Sequence, residues 1–228
     1  MKFQILFYED GDPIDIRAIG LFVNSFSKSY TKTVQTIIRD SKVINEHSFK
    51  HNIALLMPSF KMTRNGVYRG LKVGKGDNIV DPNNITDVCW KEIGQRLIEL
   101  KSEIPQEATR SRVIADLAPS DIENVTDKTN RLYESLSAKS TNGSTLGRVG
   151  ATKILFSVFP EVALPIDTSQ WRDVFKTSDY KSILKTMIGE IKDWEQRTEK
   201  KLEKCAVNKV TTLPSIYNVM AMIARPQI

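Results

Sequence analysis

The chain has little of what disulfide frameworks, metal sites and membrane spans are built from. Its 228 residues include two cysteines and two histidines. Cys89 and Cys205 stand far apart, and neither has a Cys or His neighbour at metal-ligand spacing. A disulfide framework, a structural zinc and an iron–sulfur cluster are therefore not expected. His47 and His51 stand four apart, on what would be one helix face, but lack a third ligand and a Glu-x-x frame, so a polar surface is the simpler reading. Asp10, Asp12 and Asp15 are interrupted by Gly11 and Pro13, which make a turn rather than a metal cradle. No apolar run approaches the roughly 18 residues of a membrane helix, and the run opening Met1–Tyr8 is too short and too quickly acidic for a signal peptide. The glycines from Gly66 to Gly76 are not followed by Gly-Lys-Ser/Thr at phosphate-loop spacing. No internal repeat is visible. The expectation is a soluble intracellular protein, cytoplasmic or nucleoid-associated, with no metal or cofactor, and long enough to bury its own core.

What the chain does have is positive charge in blocks. Lysine and arginine number 33 against 27 acidic residues, a net charge of +6. Residues 1–127 hold 17 basic and 17 acidic side chains, whereas 128–228 hold 16 and 10. Lys28 to Lys75 carries ten basic residues against Asp40 and Glu46, and Lys128 to Lys153 carries five against Glu134. Clustered cations suit a polyanion, because each one placed on a phosphate releases a counterion. A mildly basic soluble surface is the alternative. The run Glu199 to Lys204 reads as a solvated helix face.

The periodicity predicts a mainly α protein with a small N-terminal α/β portion over residues 1–80 and a helical domain over 81–228. Phe3 to Tyr8 reads as a short strand closed by the turn Glu9–Pro13. Ile19, Phe22, Val23 and Phe26, then Val34, Ile37 and Ile38, follow helical spacing, with helix, strand or loop open between them. Pro58 interrupts an apolar stretch, and Arg64 to Gly76 is turn-rich and basic. Ile85, Val88, Cys89, Ile93, Leu97 and Leu100 form an amphipathic stripe ending before Pro105. Ser120 or Asp121 caps a helix through Leu136, and Ser137 to Ser144 reads as a plain loop. A helix from about Ala151 to Val158 follows, stopped by Phe159-Pro160. Asp179 or Ser178 caps a long helix from Tyr180 whose spacing extends to Leu202, and the last helix starts at Pro214.

The most informative stretch is Leu146-Gly147-Arg148-Val149-Gly150-Ala151-Thr152-Lys153, followed fourteen residues after the lysine by Asp167 in Leu164-Pro165-Ile166-Asp167-Thr168. Glycine lets backbone approach an anion at angles other residues resist. The N–H groups of Gly150, Ala151 and Thr152 are expected at a helix N-terminus, which favours phosphate, with Arg148 as a mobile cation beside them. A tight turn without a ligand is the other reading. Asp167 can cap the helix that follows, with Ser169 and Gln170 offering their amides. Lys153, if buried, loses solvation of its charged form and becomes a nucleophilic amine; it can equally face a phosphate or a carboxylate. Phe156, Phe159, Trp171 and Tyr180 can stack on a base, but their helical spacing favours core packing.

These residues resemble the core of the helix-hairpin-helix DNA glycosylase superfamily, most specifically over 144–175 and more loosely over 85–224. The resemblance implies a helical body of that type. It implies a hairpin that binds a DNA phosphate through backbone N–H groups, here Gly147, Arg148, Gly150, Ala151 and Thr152. It further implies Asp167 stabilising an oxocarbenium-like sugar or orienting the attacking nucleophile, and Lys153 as the lysine of bifunctional members. The family's lysine follows the second hairpin glycine by two residues, whereas Lys153 follows Gly150 by three, a rotation of about 100° on a helix. The family's hairpin commonly has Pro-Gly where this chain has Leu146-Gly147. The implied activity is extrusion and excision of a base from duplex DNA, leaving an abasic site, with no obligate protein partner and no membrane. The unassigned portion 1–80 points to a damaged or bulky modified base. A non-enzymatic DNA-binding module and a basic protein-interaction protein are the alternatives.

Overall fold

Asp15 opens the first helix, α1 (Ile16–Ser25), by accepting a hydrogen bond from the Arg17 amide at 2.8 Å. In the computed structural model, which describes residues 3–64, 66–104, 110–206 and 211–224, helix α2 (Lys28–Asp40) follows almost at once, so the stretch left open between the two stripes is mostly helix. Asn45 and Ser48 form a reciprocal cap for α3 (Glu46–Ser59), and Pro58 sits in its last turn, where it ends the helix instead of breaking it. A short antiparallel pair, β1 (Lys72–Val73) and β2 (Ile79–Val80), precedes α4 (Ile85–Ser102). The helix thus ends before Pro105, which lies outside the described residues, as does Asn65. A short helix, α5 (Val113–Asp116), leads to α6 (Pro119–Ser137). The pair β3 (Ser140–Thr141) and β4 (Ser144–Thr145) joins α6 to α7 (Gly147–Val158). A π-helical turn spans Gln170–Phe175, and α8 (Tyr180–Thr198) and α9 (Leu213–Ile223) complete the mainly helical architecture.

Four local expectations are corrected. Phe3 to Tyr8 is no strand: Phe7 makes an isolated bridge to Pro13, and the segment is held by Ile14 N donating to Leu6 O and Leu6 N donating to Glu190 Oε1 at 2.7 Å. Helix α6 begins before Ser120, with Pro119 at its first position and Ala118 before it, because proline lacks the amide that a cap would satisfy. The loop after α6 contains a two-stranded hairpin, since Asn142 and Gly143 both take positive φ (51° and 75°), the geometry of a tight hairpin turn. Leu202 lies outside α8, which stops at Thr198 before the left-handed Glu199; it is buried instead in a 3-10 turn, Leu202–Cys205. The cap from Asp179 to Ser182 N is present at 3.1 Å, and α9 carries Pro214 in its first turn.

Helix α7 is enclosed beyond its first turn: Gly150 to Val158 are buried without a break, as are Phe159 to Ile166 after it. A helix of that kind is a core element rather than a surface one. Helices α3 and α6 pack along it with α2 at one side, while α8 packs on α6 and α9, and α1 packs on α9. One hydrophobic core therefore runs through residues 1–80 and 81–228 alike. Two cations within it are held by carbonyls and carboxylates. Lys101 donates to the Ser41 carbonyl (2.7 Å) and the Val158 carbonyl (3.4 Å), a cation at the C-terminal ends of α2 and α7, and lies 3.6 Å from the buried Glu161. Buried Arg112 binds Glu195 through both oxygens (2.7 and 2.8 Å) and also Glu203, tying the start of α5 to α8 and the turn after it.

Gly150 is the tightest point of this packing. A Cβ there would lie 2.0 Å from the Tyr68 hydroxyl and 2.9 Å from its ring carbon, and Tyr68 is itself buried with no hydrogen-bond partner for that hydroxyl among the described residues. Gly150→Ala is expected to lower stability by about 1–3 kcal/mol through overpacking. Tyr68→Phe removes an unsatisfied buried oxygen and is expected to be neutral or stabilising alone, and to recover part of the Gly150→Ala loss. Urea melts of the two single variants and the double variant check this; additive effects would show that the two side chains do not meet.

Candidate active site

The hairpin glycine with a conformational role is Gly147, at φ 65° with open space around its missing side chain. Leu146 before it is buried, and its amide donates to the Lys139 carbonyl at 2.9 Å. Because α7 begins at Gly147, the amides without an intrahelical acceptor belong to Gly147, Arg148 and Val149. This corrects the expected set: Gly150, Ala151 and Thr152 lie one turn inside a buried helix, and their amides are spent on it. Thr152 has a structural task, since its hydroxyl accepts from Ile166 N at 3.1 Å and lies 3.1 Å from the Val149 carbonyl and 3.3 Å from that of Ile166. It thereby fixes the residue immediately before Asp167.

An open groove of about 660 Å³ runs between this helix start and the π-helical turn, lined by Gly147, Arg148, Thr168, Trp171, Lys176 and Ser178 among others. The lining includes Arg172 as a third cation and no carboxylate. Arg172 is held by Asp173 through two hydrogen bonds (2.7 and 2.8 Å), whereas Arg148 and Lys176 have no ion pair among the described residues. The Arg148 guanidinium lies 5.5 Å from the Trp171 ring centre, and the buried indole N–H of Trp171 has no acceptor among the described residues. Trp171 packs among Tyr133 and Tyr180, and Phe156 and Phe159 are fully buried. All four aromatics are core residues in this state; only Trp171 also borders the groove.

Asp167 caps the turn that follows it. Its Oδ1 accepts from Gln170 N and from Ser169 Oγ, both at 2.8 Å, while its own amide donates to Gln170 Oε1 at 2.9 Å. The reciprocal pair continues inward: Gln170 Nε2 donates to Asn218 Oδ1 (3.1 Å), and Asn218 Nδ2 donates to the Tyr30 hydroxyl (2.8 Å). Gln170 and Asn218 are fully buried, so this chain from α2 through α9 leaves Asp167 one orientation. Asp-x-x-Gln is a capping pattern visible in the sequence. Asn218 and Tyr30 carry no sequence signal, because they meet Gln170 only through the tertiary fold.

Lys153 is buried at 4 % exposure, with its ammonium 4.2 Å from the centre of the Phe60 ring, just past the end of α3. Burial pulls its pKa down to about 8, against the charge of Asp167, which pushes it up. Thr152 thus faces the Asp167 loop through its bonds to Ile166, and Lys153 turns toward Phe60. His47 and His51 stack at 6.0 Å on the surface of α3. Among the described residues no group of three or more His, Cys, Asp or Glu side chains could hold a metal ion, and no helix is long and apolar enough to cross a membrane. Comparison with protein-family models, curated proteins and solved structures finds no match.

The buried lysine makes a pH prediction. Its folded pKa of about 8 lies below the ordinary 10.5, so the unfolded chain binds this proton more tightly and the native state gains stability as pH rises between those values. Lys153→Met, which removes the charge at similar volume, is expected to be more stable than wild type at pH 7 by up to about 3 kcal/mol. The difference should shrink as pH rises through 8 toward 10.5. Paired denaturant melts across pH 6.5–10.5 measure it, and a difference independent of pH would show that Lys153 is not desolvated.

Proposed function

We propose that this protein is a DNA N-glycosylase-like enzyme that extrudes a damaged or modified base into the fold and excises it, leaving an abasic site. The reading rests on the fold-level analogy drawn from the hairpin and on one structural observation: a buried amine lowered to about pH 8 feels the charge of a carboxylate locked in place beside a cation-lined groove. An amine of that pKa is about one-tenth neutral at pH 7, enough to attack the sugar C1′ as the base departs with the electron pair of the glycosidic bond. The Asp167 carboxylate supports the cationic sugar that develops. The groove supplies phosphate contacts through Arg148, Lys176 and the free amides at the start of α7. Helix α3 brings Phe60 to Lys153, so the N-terminal portion completes the surroundings of the amine.

A second reading is a DNA-binding module without catalysis, favoured by the employment of Asp167 Oδ1 as a cap. Abasic-site formation on a panel of damaged and modified duplexes, revealed by alkali cleavage, separates the two. On a confirmed substrate, Asp167→Asn keeps an acceptor for Gln170 N and is expected to preserve folding and DNA binding while excision falls about a hundredfold or more. Unchanged excision would remove Asp167 from the chemistry. Borohydride trapping of a protein–DNA adduct that disappears in Lys153→Gln identifies the amine as nucleophile; base release without trapping assigns the attack to water.

A further inference from the structure

A half-enclosed cavity of about 540 Å³ opens between α8 and the N-terminal segment, lined by Gln4, Phe7, Thr186, Gly189, Glu190 and Asp193 among others. Its size is that of a small-molecule site. Gly189 stands inside the 19-residue α8, where glycine costs helix stability relative to alanine. Nothing lies within 4 Å of the Cβ it lacks, so packing does not demand a glycine there. What the missing side chain leaves is room in the cavity.

The polar groups around that room divide into two sets. Glu190 is fully engaged, accepting from Leu6 N at 2.7 Å and from the Tyr217 hydroxyl at 2.8 Å. Arg197 donates to the Gly11 carbonyl at 2.7 Å and lies over Phe7, and Lys185 is turned to Glu123. In contrast, Gln4, Thr186 and the half-buried Asp193 make no side-chain hydrogen bond or ion pair among the described residues. The Asp193 carboxylate is therefore available to accept from a ligand, since both cations in the lining, Lys185 and Arg197, are engaged elsewhere.

We propose that this cavity binds a planar nitrogen heterocycle presenting two adjacent N–H donors, of the guanine type, as a free base or nucleoside. The ring lies over Gly189 against Phe7, its paired N–H edge donates to the two oxygens of Asp193, and Thr186 and Gln4 take the remaining polar positions. A carboxylate accepts two parallel N–H groups from a guanidinium as readily as from a guanine edge; the aromatic wall and the size of the cavity favour the larger, flat ligand. The site is independent of the Lys153–Asp167 pair and of any DNA chemistry.

The test is isothermal titration of the whole protein with guanosine, adenosine and agmatine. Guanosine is expected to bind, with adenosine, which lacks the paired edge, and agmatine, which lacks the ring, each weaker by about tenfold or more. Gly189→Leu fills the room without meeting another atom at Cβ and is expected to melt no lower than wild type while losing guanosine binding. Asp193→Asn, similar in shape, should weaken it about tenfold or more. No guanosine heat at millimolar concentration, or equal binding by both folded variants, would overturn the site; agmatine binding as tightly as guanosine would overturn the choice of ring.

Discussion

The uninterrupted burial of the chain from Gly150 to Ile166 is the constraint on which the rest of the structure depends. A segment so placed has no water to satisfy its polar groups, and each one requires an internal partner. Thr152 therefore binds Ile166, Ser157 binds the Ile154 carbonyl, and the Leu164 amide and carbonyl both meet the Tyr180 hydroxyl. The carbonyl end of α7 receives Lys101. These bonds do more than avoid a penalty: they fix the path of the loop that carries Asp167, so a candidate catalytic carboxylate inherits its position from the core.

The same burial treats two charges of the candidate site differently. Asp167 sits at the end of the buried run, partly exposed, and is surrounded by donors from the turn it caps. Lys153 sits inside the run, with an aromatic face beneath it and no hydrogen bond for its ammonium among the described residues. Donors stabilise a carboxylate, whereas desolvation destabilises an ammonium. The donors around Asp167 fix its orientation, whereas the apolar surroundings of Lys153 lower the pKa of its amine.

Much of the helical framework was legible in the residues themselves. The stripe from Ile85 to Leu100, the Asp179 cap with its long helix, and the Pro214 start are local signals, decided by spacing and by one or two hydrogen bonds near in sequence. The errors share a cause of a different kind. Phe3 to Tyr8 has strand-like composition but pairs with no strand among the described residues, and its Leu6 amide is satisfied by Glu190, 184 residues away. The hairpin amides were assigned one turn too late because the helix start was placed at Ala151, when the left-handed Gly147 lets α7 begin at once.

By itself, then, the sequence determined the mainly helical class, the cap at Asp167 and the excess of cations along the C-terminal part, because each follows from periodicity, from capping residues, or from charge counted along the chain. Only the tertiary structure decided which hairpin amides remain free, that Gly150 is a glycine because Tyr68 leans on it, that Lys153 faces Phe60, and that Asn218 and Tyr30 steady Asp167. Those outcomes are contacts between residues remote in sequence. Their physical origin is desolvation and close packing, which act on whatever the fold brings together and have no period to read along the chain.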